Sequence, residues 1–195
     1  MHPSRTALIV ATVTVAFIPV LHAQYGLTEK LFVSAGRIEM QLGAGTYAIR
    51  PASDTHIRVT ISENSPRARV ALTANATRAT IAVTETPTNN FQATIEVPRT
   101  SDLIVRLSGG NLVLSGITGN KDIDSVAGNA EIAIGDLNDY ASMEATVKAG
   151  DLNVGAFTGA KTTDSFGLLQ RASWSGKGKY TLRANLGAGN LVLRK

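Results

Sequence analysis

A glycine phrase recurs through the second half of this chain. It reads SGGNLVLSG at Ser108–Gly116, AGNAEIAIGD at Ala127–Asp136, AGDLNVGAF at Ala149–Phe157 and GAGNLVLRK at Gly187–Lys195. Each copy places a small residue and Gly before Asn or Asp, then a run with apolar residues at alternate positions. Alternation of period two is the signature of a strand with one buried face. A repeated turn-plus-strand unit cannot bury that face alone, so copies must stack on one another. The phrase therefore points to an extended β surface and away from a single deep cleft.

The glycines Gly110, Gly128, Gly150, Gly167 and Gly189 are spaced by 18, 22, 17 and 22 residues. A mean of about 20 is enough for two short strands and two turns. Within one unit, Asn111–Ser115 reads as a strand, Gly116–Asn120 as a turn and Lys121–Ala127 as the return strand. Ala130–Ile134, Gly135–Asp139 and Tyr140–Lys148 repeat the pattern. The phrase is weakest at Gly167, where Ser165–Gln170 lacks the Asn or Asp. The fold expected is all-β, a β-solenoid-like stack of two-strand repeats, with a β-sandwich as the alternative. The last strand, Leu191–Leu193, is expected to leave an uncovered edge guarded by Arg194 and Lys195.

Before Pro98 the strands are joined by polar, Pro-containing turns. Thr46–Arg50, His56–Ser62, Ala68–Ala74, Thr77–Thr84 and Phe91–Val97 all alternate, and Phe32–Leu42 precedes them. This half reads as antiparallel hairpins. The division expected is a strand region over 24–97 and a repeat region over 98–195, within one domain.

Residues 1–23 stand apart. Arg5 gives a positive start, Ala7–Leu21 is an apolar run, and Leu21-His22-Ala23 ends in a small residue. This is the pattern of a cleavable signal peptide. The run is shorter than the ~20 residues of a spanning helix and is broken by Pro19. No Cys follows for lipid attachment. An exported protein beginning at Gln24 is expected, with no membrane span after cleavage.

Composition narrows the chemistry. Cysteine is absent, which removes disulfides, thiol catalysis and Cys-based metal sites. Beyond the leader the only histidine is His56, so Ser-His-Asp machinery and multi-His zinc sites lack their parts. His56 alternates with Ile57 and Val59 and reads as a solvated residue on an outer strand face. Net charge is +4 and aromatics are 5%. Dense basic patches and stacking platforms for nucleic acid are missing.

Val97-Pro98-Arg99, Asp102-Leu103-Ile104-Val105, Ser108-Gly109-Gly110-Asn111-Leu112 and Ile117-Thr118-Gly119-Asn120, with the ending Gly187-Ala188-Gly189-Asn190-Leu191-Val192-Leu193, resemble the bacterial family named "putative adhesin". The resemblance covers roughly Phe91–Lys195. It implies an elongated, exported β-repeat domain in the periplasm or at the cell surface, and it brings no catalytic residues.

Carboxylates are the one plentiful catalytic type. Asp122 and Asp124 share a strand face; Asp136, Asp139 and Asp151 lie in or beside turns. Paired acids could serve a polysaccharide hydrolase or lyase, but Asp and Asn also suit turns in their own right, and that reading is favoured. The loops Gly135–Asp139 and Gly150–Asn153 are oxygen-rich, yet neither matches a calcium-loop pattern. Asn111, Asn129, Asp151 and Asn190 occupy equivalent positions and read as an internal ladder. Gly176–Gly178 lacks the features of a phosphate loop, and Arg67 and Arg69 read as a solvated strand face. Trp174, between Ser173 and Ser175 and near Lys177 and Lys179, is the one candidate surface-binding residue, although a lone Trp more often packs. No enzyme activity, cofactor or metal is expected. The leading reading is an adhesin-like exported protein with an envelope, polymer or protein partner; a carbohydrate-active β-helix hydrolase or lyase using Asp pairs and a polymer-binding module are the alternatives.

Overall fold

The computed structural model describes residues 27–32, 36–62, 67–87, 90–165 and 168–195, and the backbone of 22–23. The leader up to Leu21 and the repeat position Gly167 lie outside the described residues. The described chain is almost entirely strand. Its elements are β1 (His22–Ala23), β2 (Leu27–Leu31), β3 (Arg37–Leu42), β4 (Gly45–Pro51), β5 (His56–Ile61), β6 (Arg69–Ala74), β7 (Arg78–Thr84), β8 (Gln92–Val97), β9 (Asp102–Leu107), β10 (Gly110–Leu114), β11 (Lys121–Ala133), β12 (Tyr140–Asn153), β13 (Lys161–Asp164), β14 (Gln170–Ser175) and β15 (Tyr180–Arg194). A 3-10 turn at Leu137–Asp139 is the one helical element among them.

The long strands β11, β12 and β15 each pass through two flanks of the sheet. In the first flank the order is β1-β6-β7-β3-β9-β11-β15-β12-β14-β13. In the second it is β2-β5-β8-β4-β10-β11-β15-β12. The pairs β3–β4 and β9–β10 behave as β11 does, with one strand in each flank. The sheet is not closed.

What turns the chain from one flank to the other is visible in burial. In a straight strand, residues an odd number apart point to opposite faces. Yet Leu42 and Tyr47, Leu107 and Leu112, Ser125 and Ala130, and Leu186 and Leu191 are all buried, each pair five apart. Val147 and Leu152 repeat the step, with Leu152 packed against the core's edge. The inward set changes parity at each of these five corners, so both flanks face one contiguous core.

The pivot is a glycine three residues past the first member of each pair. Gly45, Gly110, Gly128, Gly189 and Gly150 stand in register side by side, in that spatial order. Gly110, Gly128, Gly189 and Gly150 have φ of 105°, 118°, 125° and 132°, a region that disfavours any Cβ. The approach is also close. A Cβ on Gly128 would overlap the carbonyl oxygen of Gly110, one on Gly189 that of Gly128, one on Gly150 that of Gly189, and one on Gly110 that of Gly45.

The stack is parallel but not sequential. The unit β3–β4 sits between β7–β8 and β9–β10. The carboxyl-terminal β15 is inserted between β11 and β12. The uncovered edge expected at Leu191–Leu193 is therefore in the interior, and the second limb of β12 takes the edge instead. That edge is blunted: the Leu152 N–H donates to Gln170 Oε1 at 2.8 Å, and Asp151 adds a charge. Antiparallel strands occur in the first half as expected, in β2–β5, β5–β8 and β6–β7. The parallel stack itself reaches further back than Pro98, because β3, β4, β7 and β8 belong to it.

Substituting Gly128→Ala combines a disfavoured φ with overlap onto backbone that cannot move aside. Urea denaturation is expected to show a loss of at least about 3 kcal/mol. Gly135→Ala is the control: its φ is 74°, but nothing lies within 4 Å of an added Cβ. It should cost only about 1–2 kcal/mol.

Candidate groove on the outer face of the first flank

The residues facing outward from the first flank fall into rows across the stack. One row runs Gln41, Arg106, Asp124, Asn185, Thr146, each opposite the next. Arg106 organises it. Its Nε lies 3.2 Å from Asp124 and its Nη2 2.9 Å from Asp122, and Nη1 donates to the Asp122 carbonyl at 3.1 Å. Asn185 Nδ2 donates to Asp124 Oδ1 at 2.7 Å. Exposed pairs of this kind add little stability, but here they fix side-chain positions along the row.

Between this row and the corner lies an open groove of about 580 Å³. Its shoulder is Val126, 68% exposed, and Lys148. Gly187 also lines it, and a Cβ there would collide with the Val126 carbonyl oxygen. Arg183 stands at its other side and also borders a second groove with Asn120 and Thr181. Among the described residues, the side chains of Lys148 and Arg183 make no hydrogen bond or ion pair.

Two polar ladders brace the stack. At the corner, Asn129 Nδ2 donates to Asn111 Oδ1 at 3.0 Å, and Asn190 Nδ2 donates to Asn129 Oδ1 at 2.9 Å. These Asn residues stabilise one another, as the repeat positions imply. At the start of the first limbs, Asn120 donates from N and Nδ2 to Asp102 Oδ1, and Thr181 donates from N and Oγ1 to Asn120 Oδ1.

The acids considered for catalysis are placed on three separate features. Asp122 and Asp124 share one guanidinium. Asp136 caps the 3-10 turn by accepting from the Asn138 N–H, and Asp139 ends that turn. Asp151 lies on the edge strand β12, opposite Asn190. Among the described residues no group of three or more His, Asp or Glu could hold a metal ion. His56 faces outward beside Glu29, Asp54 and Arg58. The Arg58 guanidinium at 2.6 Å holds the Asp54 carboxyl well below the usual carboxylate range.

Trp174 is half-buried. Its ring meets Phe157 edge-on with centroids 5.3 Å apart, and Nε1 donates to the Thr158 carbonyl at 3.2 Å. Its far edge lies over Gly176, where a Cβ would collide with it.

Sequence reasoning missed Lys121. Its alternation with Ile123 and Ser125 places it inward, and it is 1% exposed. Nζ donates to the Gly119 carbonyl at 3.0 Å and to Tyr140 Oη at 2.8 Å, and Tyr140 Oη donates to the Ile134 carbonyl at 3.2 Å. Burial lowers the amine from 10.5 to about 8, offset in part by Asp102 and Asp139. The unfolded chain therefore binds more protons between these values, and stability rises with pH across that window. Relative to Lys121→Met, the wild-type chain should gain about 2 kcal/mol between pH 7 and pH 9.5 in urea titrations. Parallel pH profiles for the two proteins would contradict this.

The chain matches no protein-family model and no curated protein by sequence. Its fold is similar to a solved structure described as a putative cell adhesion protein from Clostridium sporogenes. The TM-score is 0.52 at 12% identity, over 86% of this chain and 98% of that one. Two solved structures described as putative adhesins also align, one from Parabacteroides merdae (TM-score 0.24, 9% identity, 86% and 92% covered) and one from Parabacteroides distasonis (0.24, 13%, 87% and 70%). The likeness in fold rests on the Clostridium structure alone. The resemblance to adhesin-like proteins seen in the glycine phrases thus holds at the level of fold. No helix of the described residues is long and apolar enough to cross a membrane.

Proposed function

We propose that this chain is an exported, adhesin-like β-repeat protein that acts by surface contact at or outside the bacterial envelope and not by catalysis. Residues 1–23 are its cleaved leader, so the mature chain lacks β1 and its pairing with β6, and 24–195 is its single domain. One observation carries the reading: in-register side chains from five strands form one open groove on a ladder-braced face. The fold it shares with a structure described as a putative cell adhesion protein supports it. So does the spending of the acids on an arginine, a turn and a sheet edge.

The contact residues on this reading are those of the groove. Trp174 is assigned to packing, since Phe157, Thr158 and Gly176 already engage its ring.

Two measurements test the proposal. N-terminal sequencing of the protein recovered outside the cytoplasm should begin at Gln24. Retention of Met1, with the protein in the cytoplasm, would contradict export. The mature chain should sediment with isolated bacterial envelopes, and Lys148→Glu/Arg183→Glu should lower the bound fraction about tenfold. Sedimentation unchanged by the double substitution would remove the groove from the function.

A further inference from the structure

We infer that the groove on the first flank binds an acidic polysaccharide, a glycan chain bearing carboxylates along its length. The inference rests on the surface-contact reading above and names its ligand class.

The groove runs across the strands. Gln41, Arg106, Asp124, Asn185 and Thr146 lie on five neighbouring strands. Four intervals of about 4.8 Å make a track of about 19 Å across the sheet. An open track of that length suits a polymer lying along it more than an enclosed small molecule.

Its uncompensated charge is positive. The lining sets Arg106, Lys148 and Arg183 against Asp124, a net of +2, and Asp122, which shares the Arg106 guanidinium, lowers it to +1; Arg183 stands in register between Asp122 and Glu144 without an ion pair to either. Lys148 and Arg183 are exposed cations without partners among the described residues. They flank the track and supply its free charge. An anion is the complementary ligand, and two separated cations suit charges spaced along a chain.

The remaining lining chooses among anionic polymers. Gln41, Thr146 and Asn185 offer amide and hydroxyl groups suited to sugar hydroxyls. Val126 adds an exposed aliphatic surface for the apolar side of a ring. A nucleic acid would want aromatic platforms, and no aromatic residue lines the groove. An acidic peptide would want free backbone groups to pair with, as at a sheet edge. Here β9, β11 and β15 have neighbours on both sides, so their backbone groups are committed to the ladders. Recognition must come from side chains alone, which favours a ligand that carries its own dense hydroxyls and carboxylates.

The test is affinity electrophoresis of the mature chain through gels containing polygalacturonate, neutral dextran, poly-glutamate or single-stranded DNA. Polygalacturonate should retard the protein, and dextran should not. Lys148→Ala/Arg183→Ala should raise the apparent Kd at least tenfold. Arg67→Ala/Lys177→Ala, which removes the same charge outside the groove, should change it less than twofold. Circular dichroism of both double variants establishes that they are folded. Equal retardation by poly-glutamate or DNA would overturn the inference in favour of unselective charge attraction. No retardation by polygalacturonate would overturn it outright. Envelope sedimentation that persists in that case leaves the surface-contact reading standing and removes only the ligand class.

Discussion

Five neighbouring rungs of this structure depend on one backbone approach: glycine against glycine at the corner between the flanks. Gly110, Gly128, Gly189 and Gly150 each lie where the neighbouring glycine's carbonyl oxygen fills the space a Cβ would take, and at Gly45 the Phe91 ring fills it. This packing lets adjacent corners sit at strand spacing while both limbs keep their ladders. It also forces the parity change that brings Leu107 and Leu112, or Leu186 and Leu191, into one core. The residue after the glycine inherits a fixed position on the outside of the corner. Asn111, Asn129 and Asn190 use it to bond to one another along the stack.

The local unit was legible because its demands are local. A corner needs an inward residue, one variable residue, a small residue, glycine, a short polar residue and another inward residue, and Leu186-Gly187-Ala188-Gly189-Asn190-Leu191 writes this out. The copy at Leu42-Gly43-Ala44-Gly45-Thr46-Tyr47 was harder to see. Thr46 replaces the Asn or Asp, and Tyr47 puts a ring where the others have an aliphatic or Ala side chain. Spacing also misled in one respect. Gly167 keeps the period but falls outside the described residues, while Gly189, next in sequence, stacks directly on both Gly128 and Gly150. Nothing local distinguishes which rung a given corner will touch. All copies offer nearly the same surface, so spatial order is decided by the lengths of connections and by packing across the whole core.

The same limit hid the groove. Its central row draws Gln41, Arg106, Asp124, Asn185 and Thr146 from strands far apart in sequence, and no one of them belongs to a motif. The insertion of β15 between β11 and β12 places Arg183, Asn185 and Gly187 beside Asp124, Val126 and Lys148. Turn chemistry was legible in short segments, whereas Asp122 and Asp124 lie within β11 against Arg106. Asp136 and Asn153 accept from backbone N–H groups two residues on, which is ordinary turn chemistry. Lys121 was missed for a different reason: alternation puts a cation on the inner face, where the Gly119 carbonyl, the Tyr140 hydroxyl and the charges of Asp102 and Asp139 offset its burial.

The order of the corners is the claim on which fold and groove both stand, and the absence of cysteine makes it directly measurable. Pairs of cysteines introduced at in-register corner positions should oxidise to disulfides when their strands are adjacent, about 4.8 Å apart, and not when a strand intervenes. Asn129→Cys with Asn190→Cys, and Asn190→Cys with Asp151→Cys, are expected to cross-link efficiently. Asn129→Cys with Asp151→Cys, closer in sequence but two strands apart, is expected to remain reduced. Efficient cross-linking of the 129–151 pair, with the 129–190 pair unreactive, would mean the rungs follow chain order and would contradict the account.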